Sequence, residues 1–156
     1  MADGVDRAAA KEQAVSAFTS ADAVWGRAMR SHQLAPPDLG FADRLRVLAD
    51  AAGRRAQAAR LGNLAGLKWV PVPGAMEAQV PYELRPGTGR RGPRELWSVF
   101  DAAVVSFNAA NADTDLARLA DAAEALSEAA ASLAAAVEQE DRAAAAGAGA
   151  TRARGR

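Results

Sequence analysis

The chain has no cysteine and no isoleucine, and a single histidine, His32, among its 156 residues. Without thiols there can be no disulfide framework, thiolate zinc site, iron–sulfur cluster or cysteine nucleophile. One imidazole excludes any site that needs two. No run of about 18 apolar residues occurs, so a spanning helix is excluded. The first residues, Met-Ala-Asp-Gly-Val-Asp-Arg, lack the basic start and apolar stretch of a signal peptide, and a cytoplasmic protein is expected. A surplus of charge is missing too: 17 Arg and 2 Lys balance 11 Asp and 8 Glu. That neutrality counts against a dedicated nucleic-acid binder. Arginine far outnumbering lysine, with this much alanine and glycine, resembles the codon bias of a high-GC bacterium and says nothing of function.

What is present is alanine, 43 residues of it, against 28 Leu, Val and Phe together. The larger apolar residues nevertheless fall at helical spacing, which predicts an all-α protein. A first helix over about Asp6–Gln33 presents Val15, Phe18, Trp25, Met29 and His32 on one side, with Asp22 in the gap. Pro36-Pro37 ends it, because proline lacks the amide donor and disfavours helix in the residue before it. A second helix is expected from Asp38 or Gly40 to Leu61, with Gly62 as its left-handed stop. Its inward stripe is Phe41, Leu45, Leu48, Ala52, Ala56 and Ala59; Arg44, Arg46, Arg54, Arg55 and Arg60 are assigned to its other faces. A third helix should begin at Pro93 and reach about Ala110, with Leu96, Phe100, Ala103 and Phe107 inward and Trp97 and Val104 beside them. The last, capped by Asp113 or Thr114, repeats Leu116, Leu119, Ala123, Leu126, Ala130, Leu133 and Val137 at alternating steps of three and four, a heptad seam.

Between the second and third helices the helical signal stops. Five of the seven prolines lie in residues 63–93. Two short extended segments there, around Trp69 and Tyr82, suggest a proline-rich, two-stranded ribbon inserted in the bundle. From Arg142 onward the apolar pattern is lost, and a disordered Ala/Gly/Arg tail is expected over 142–156. The whole therefore reads as one antiparallel four-helix bundle over 1–141. Helix two carries five Arg and two Asp over 41–61, helix four eight acidic residues and one Arg over 113–141. Packing these two together would pair opposite fields.

No constellation for catalysis stands out, and neither a metal nor a cofactor is expected. Gly87-Thr-Gly89-Arg-Arg-Gly92 matches the G-x-G-x-x-G spacing, but no strand follows the next helix, as a dinucleotide fold requires. His32 suits a helix C-terminus, where a cation meets the negative end of the dipole. Glu124, Glu128, Glu138 and Asp141 share helical spacing without the histidine that bundle metal sites use, and read as solvated. Two function classes follow. The first is a non-enzymatic protein that binds another protein, a second copy of itself included, through Trp69, Tyr82 or the seam at Leu126, since aromatics often carry binding energy at interfaces. The alternative is nucleic-acid or phosphate binding by Arg85, Arg90, Arg91 and Arg94, with the arginines of the tail, next to a helix N-terminus.

Overall fold

The computed structural model describes residues 2–33, 41–68, 92–113 and 115–154, with side chains over 6–25, 42–68, 92–113 and 115–147. Four helices account for nearly all of them: α1 (Ala2–Gln33), α2 (Phe41–Leu64), α3 (Arg94–Asn111) and α4 (Leu116–Arg154). No strand occurs among the described residues. Of the segment assigned above to the ribbon, residues 63 and 64 belong to α2, 65–68 follow it as a turn, 92 and 93 lead into α3, and 69–91 lie outside the described residues.

The order of packing follows from cross-helix pairs. α2 lies against both α4 and α1, and α3 against α4. Arg46 meets Glu138 and Arg60 meets Glu124, so α2 and α4 are antiparallel. Arg55 meets Asp22, and Gly62 abuts Phe18, so α1 and α2 are antiparallel as well. Gly92, just before α3, meets Leu133 and Glu140 towards the far end of α4, so α3 and α4 are antiparallel too. The ring closes where Trp25 of α1 stacks on Phe107 of α3, with centroids 4.8 Å apart. Neighbouring helices are thus all antiparallel, while α2 and α3 run the same way, with residues 65–93 as the long connection between them.

The heptad seam of α4 forms the centre of this arrangement. Leu119, Ala123, Leu126, Ala130, Leu133, Ala134 and Val137 are fully buried, together with Leu45 and Leu48 of α2 and Phe100 and Phe107 of α3. The seam is an intramolecular core. Alanines lining α2 let the helices approach closely. The Ser127 hydroxyl of α4 donates to the Ala49 carbonyl of α2 at 2.7 Å, a side chain reaching a neighbouring helix's backbone.

Several boundaries and faces differ from the sequence expectations, each for a local reason. Val15 is half exposed, and Ala14 takes the inward position, because the face set by Phe18, Ala21 and Trp25 passes one residue earlier on α1. Arg55 belongs to the interior of α2. Gly62 is a buried helical residue whose missing Cβ leaves room for Phe18 and Leu116. The left-handed stop comes at Gly66 (φ 69°). There the Gly66 amide donates to Asn63 and the Leu67 amide to Gly62, and Leu67 packs back on the core, a Schellman cap. Pro93 is the cap of α3 and not its first helical residue. Asp115 caps α4, its carboxylate accepting from the Ala117 and Arg118 amides, while Asp113 holds the Arg118 guanidinium at 2.8 Å. Where a disordered tail was expected, α4 continues to Arg154. Alanine has the highest helix propensity, so the run Ala143–Ala146 carries the helix onward without packing; those four side chains are exposed.

Gly66 and Gly92 both hold a positive φ, of 69° and 97°. A Cβ at Gly66 would meet nothing, whereas one at Gly92 would come within 3.0 Å of Leu133. Left-handed strain alone costs about 1–2 kcal/mol for an L-residue. Gly66→Ala should therefore cost about that much, and Gly92→Ala distinctly more, read as a larger drop in the urea midpoint at constant m. Equal losses would mean that the Leu133 contact relaxes without cost.

The Arg46–Glu138 pair yields a second expectation. Arg46 grips the carboxylate through two hydrogen bonds, of 2.5 and 2.9 Å. Those bonds hold the Glu138 carboxyl below its ordinary range and raise the guanidinium. A lowered acid contributes stability above its unfolded-state value and loses it as pH falls through its folded-state value. Glu138→Gln should thus lower stability at neutral pH and flatten the acid limb of the stability profile; an unchanged acid limb would show that the pair contributes nothing there.

Candidate functional site

Three regions present chemistry beyond packing. The first is a polar cluster that bridges three helices. Arg55 sits on α2 among Ala51, Ala52, Ala56, Ala58 and Ala59, and is only 4% exposed. Its Nη1 donates to Asp22 of α1 at 2.5 Å, and its Nε and Nη2 both donate to the Asn111 Oδ1 of α3, at 3.1 and 2.8 Å. The guanidinium also lies 5.8 Å from the Trp25 ring centroid, within the range of cation–π attraction. Burying an unpaired charge would cost several kcal/mol, so this constellation is what permits an arginine inside an alanine-lined bundle. Its geometry is that of a structural tie: Asp22, its one carboxylate, is half exposed and already committed to Arg55. The signal in the sequence was an arginine centred in a run of small residues, opposite an aspartate on the apolar side of α1.

The second region is the start of α3, where an anion site was expected. Arg85, Arg90 and Arg91 lie outside the described residues, as do Trp69 and Tyr82. Arg94 is exposed on the first turn of α3. The Gly92 amide, which an incoming anion would seek, instead donates to the Glu140 carboxylate of α4 at 3.1 Å. Gly92 has its own reason to be glycine, its positive φ and its closeness to Leu133. The last glycine of the G-x-G-x-x-G spacing is therefore accounted for by packing, and a carboxylate of the protein itself occupies the position facing that amide. Leu126, the third partner-binding candidate, is fully buried within the bundle. Among the acidic residues of α4, Glu124 and Glu138 are engaged by α2 arginines. Among the described residues no group of three or more His, Cys, Asp or Glu is placed to hold a metal ion. No described helix is long and apolar enough to cross a membrane.

The third region was missed from sequence: the outward face of α3. At 100° per residue, Ser98, Ala102 and Ala109 form the middle of this face, with Val105 on one flank and Val99 on the other. Ser106 and Ala112 complete it, and all seven residues are exposed. Val105 is 69% and Val99 57% exposed. Between Glu95 and Asp113 the only charge on α3 is Asp101, half-buried beside this face. The outer face of α2 carries both signs, for example Arg54 bound to Asp50, and that of α4 is mostly acidic, while the stretch of α1 between Glu12 and Asp22 is uncharged as well. The signal was available as the uncharged run from Ala102 to Ala112, but it was read only for its inward stripe.

The Arg55 tie can be measured against an exposed pair. Asp22→Ala removes the carboxylate that faces the buried guanidinium and should cost about 2–3 kcal/mol, whereas Asp50→Ala, which breaks the exposed pair with Arg54, should stay within about 0.5 kcal/mol. Chemical denaturation of the two variants checks this, and equal costs would mean that water replaces Asp22 freely. Compared with known proteins, the chain matches no family model, no curated protein and no solved structure.

Proposed function

We propose that this chain is a cytoplasmic, non-enzymatic helical bundle that works by binding protein, and that its contact surface is the outward face of α3. The observation that carries this reading is the chemistry of that face. Two valines stand more than half exposed on either side of a ridge of serine and alanine, with no charge along about four turns. Small residues let a second helix approach closely, and the flanking valines supply apolar area to bury. Exposed single apolar residues are ordinary, but a contiguous uncharged face on a chain that is 24% charged marks a contact surface.

The composition agrees. A chain of zero net charge has no overall positive potential to attract nucleic acid, and the opposite charges of α2 and α4 are directed at each other, as Arg46–Glu138 and Arg60–Glu124 illustrate.

Affinity capture from nuclease-treated lysate tests the reading, with the wild-type chain and Val105→Glu as parallel baits. The Val105 side chain is mostly exposed, so the variant should keep its helicity and its urea midpoint. The expected result is a protein bound in stoichiometric amount by the wild type and reduced at least tenfold on the variant. A partner held equally by both, or one whose capture is lost on nuclease treatment, overturns the assignment.

A further inference from the structure

We propose that α1 is a detachable layer of the bundle: it opens as one unit while α2, α3 and α4 stay folded together, and it uncovers a groove with Arg55 at its centre. This opening does not depend on what the outer face of α3 binds.

The helices share the packing unequally. α4 lies between α2 and α3 and packs on both, whereas α1 packs extensively on α2 alone. It reaches α3 by the stack of Trp25 on Phe107 and through the Arg55 guanidinium that joins Asp22 to Asn111.

α1 also buries little. Over Asp6–Trp25 its buried side chains are Ala14, Phe18, Ala21 and Trp25, and none of the residues from Asp6 to Gln13 is buried. α4 by contrast buries Leu116, Leu119, Leu126, Leu133 and Val137. Apolar area removed from water supplies most of the free energy that holds a helix in place, so α1 is held less firmly than α4. Elements with few buried apolar contacts are those that open below the global unfolding free energy.

The surface beneath α1 has the same character. The contacts of Arg55 with Asp22 and of Gly62 with Phe18 fix which side of α2 faces α1. At 100° per residue, Ala51 and Ala58 share that side with Arg55 and Gly62. Three of these four positions are alanine or glycine, and the fourth carries a charge. Undocking therefore exposes little apolar surface on this side of α2. It also returns the buried guanidinium to water, while Asn111 still holds it from α3. The hydration regained by that charge offsets part of the Asp22 bond that is lost. Asp22 is itself 53% exposed, so water reaches the bond before the helices part. The groove left behind is lined by small residues, the Arg55 cation and the Phe107 ring.

Native-state hydrogen exchange of the full chain, followed in rising sub-denaturing urea, tests this opening. The amides of Phe18–Trp25 should exchange with a urea dependence above zero and shallower than that of Leu119–Leu133 in α4, because only part of the buried surface becomes exposed. A dependence of zero would mean fraying, and one equal to that of α4 would mean global unfolding alone; either result overturns the detachable helix. A core variant gives the second arm. Leu133 is fully buried against Gly92, at the start of α3, and so belongs to the part that stays folded. Leu133→Ala destabilises the closed and opened forms alike. Amides of α4 should then exchange about thirty-fold faster, while those of Phe18–Trp25 keep their wild-type rate. Equal quickening of both helices overturns the detachable helix. If that variant does not fold, Leu133→Val supplies the same comparison with a smaller shift.

Discussion

The bundle depends on the register of alanine-lined helices, and Arg55 is the group that fixes it. Alanine buries little area per residue, and a stripe of alanines offers almost the same packing after a slide of one turn. Of the 30 buried hydrophobic residues among the described ones, 17 are alanine, so most of the core does not discriminate between neighbouring registers. The guanidinium does. Its three donated bonds, to Asp22 on α1 and to Asn111 on α3, are satisfied in one alignment of three helices. A slide of one turn, about 5.4 Å, would leave a charge buried without partners, at a cost larger than any gain from repacked alanine. Trp25 and Phe107, stacked beside the same group, add the bulk that alanine lacks.

The charges follow the same logic at the outer edge of the bundle. Arginines on α2 reach acids on α4 at both ends of their contact, with Arg46 on Glu138 and Arg60 on Glu124. Exposed pairs of this kind add little stability singly, but they reject a reversed or shifted α4, in which like charges would meet. Ser127, hydrogen-bonded to the Ala49 carbonyl between those pairs, requires the close approach that the alanines permit.

Periodicity made the helices legible and left their ends obscure. Heptad spacing located α4 and its inward residues, and the same rule found Phe100, Ala103 and Phe107 on α3, because leucine and phenylalanine dominate any face they occupy. On α1 the rule chose Val15 over Ala14, for a pattern that weighs side-chain size cannot see that closeness favours the smaller residue. Ends were misplaced where two residues of one type compete. Gly62 and Gly66 both suit a left-handed stop, and the choice fell on the one whose following residue, Leu67, packs back on the core. Asp113 and Asp115 both suit a cap, and Asp115 takes it while Asp113 binds Arg118. Arg55 was placed on the surface because arginine usually lies there. Its partners come from helices 33 and 56 positions away, a distance over which no local pattern carries information.

The α3 face was hidden by a related habit: an amphipathic pattern is read for its apolar side, and the other side is taken to be polar. α3 breaks that assumption, since its outward residues are serine, alanine and valine rather than the arginine and acid used on α2 and α4. Codon bias alone does not place charge, since arginine is absent both between Arg94 and Arg118 and between Arg118 and Arg142, where α4 carries acids instead. Fold stability does not explain it either: valines that are 57% and 69% exposed give the monomer little burial. The absence of charge from Ala102 to Ala112, with Val99 and Val105 more than half exposed, is the observation on which the proposed contact role of this face rests.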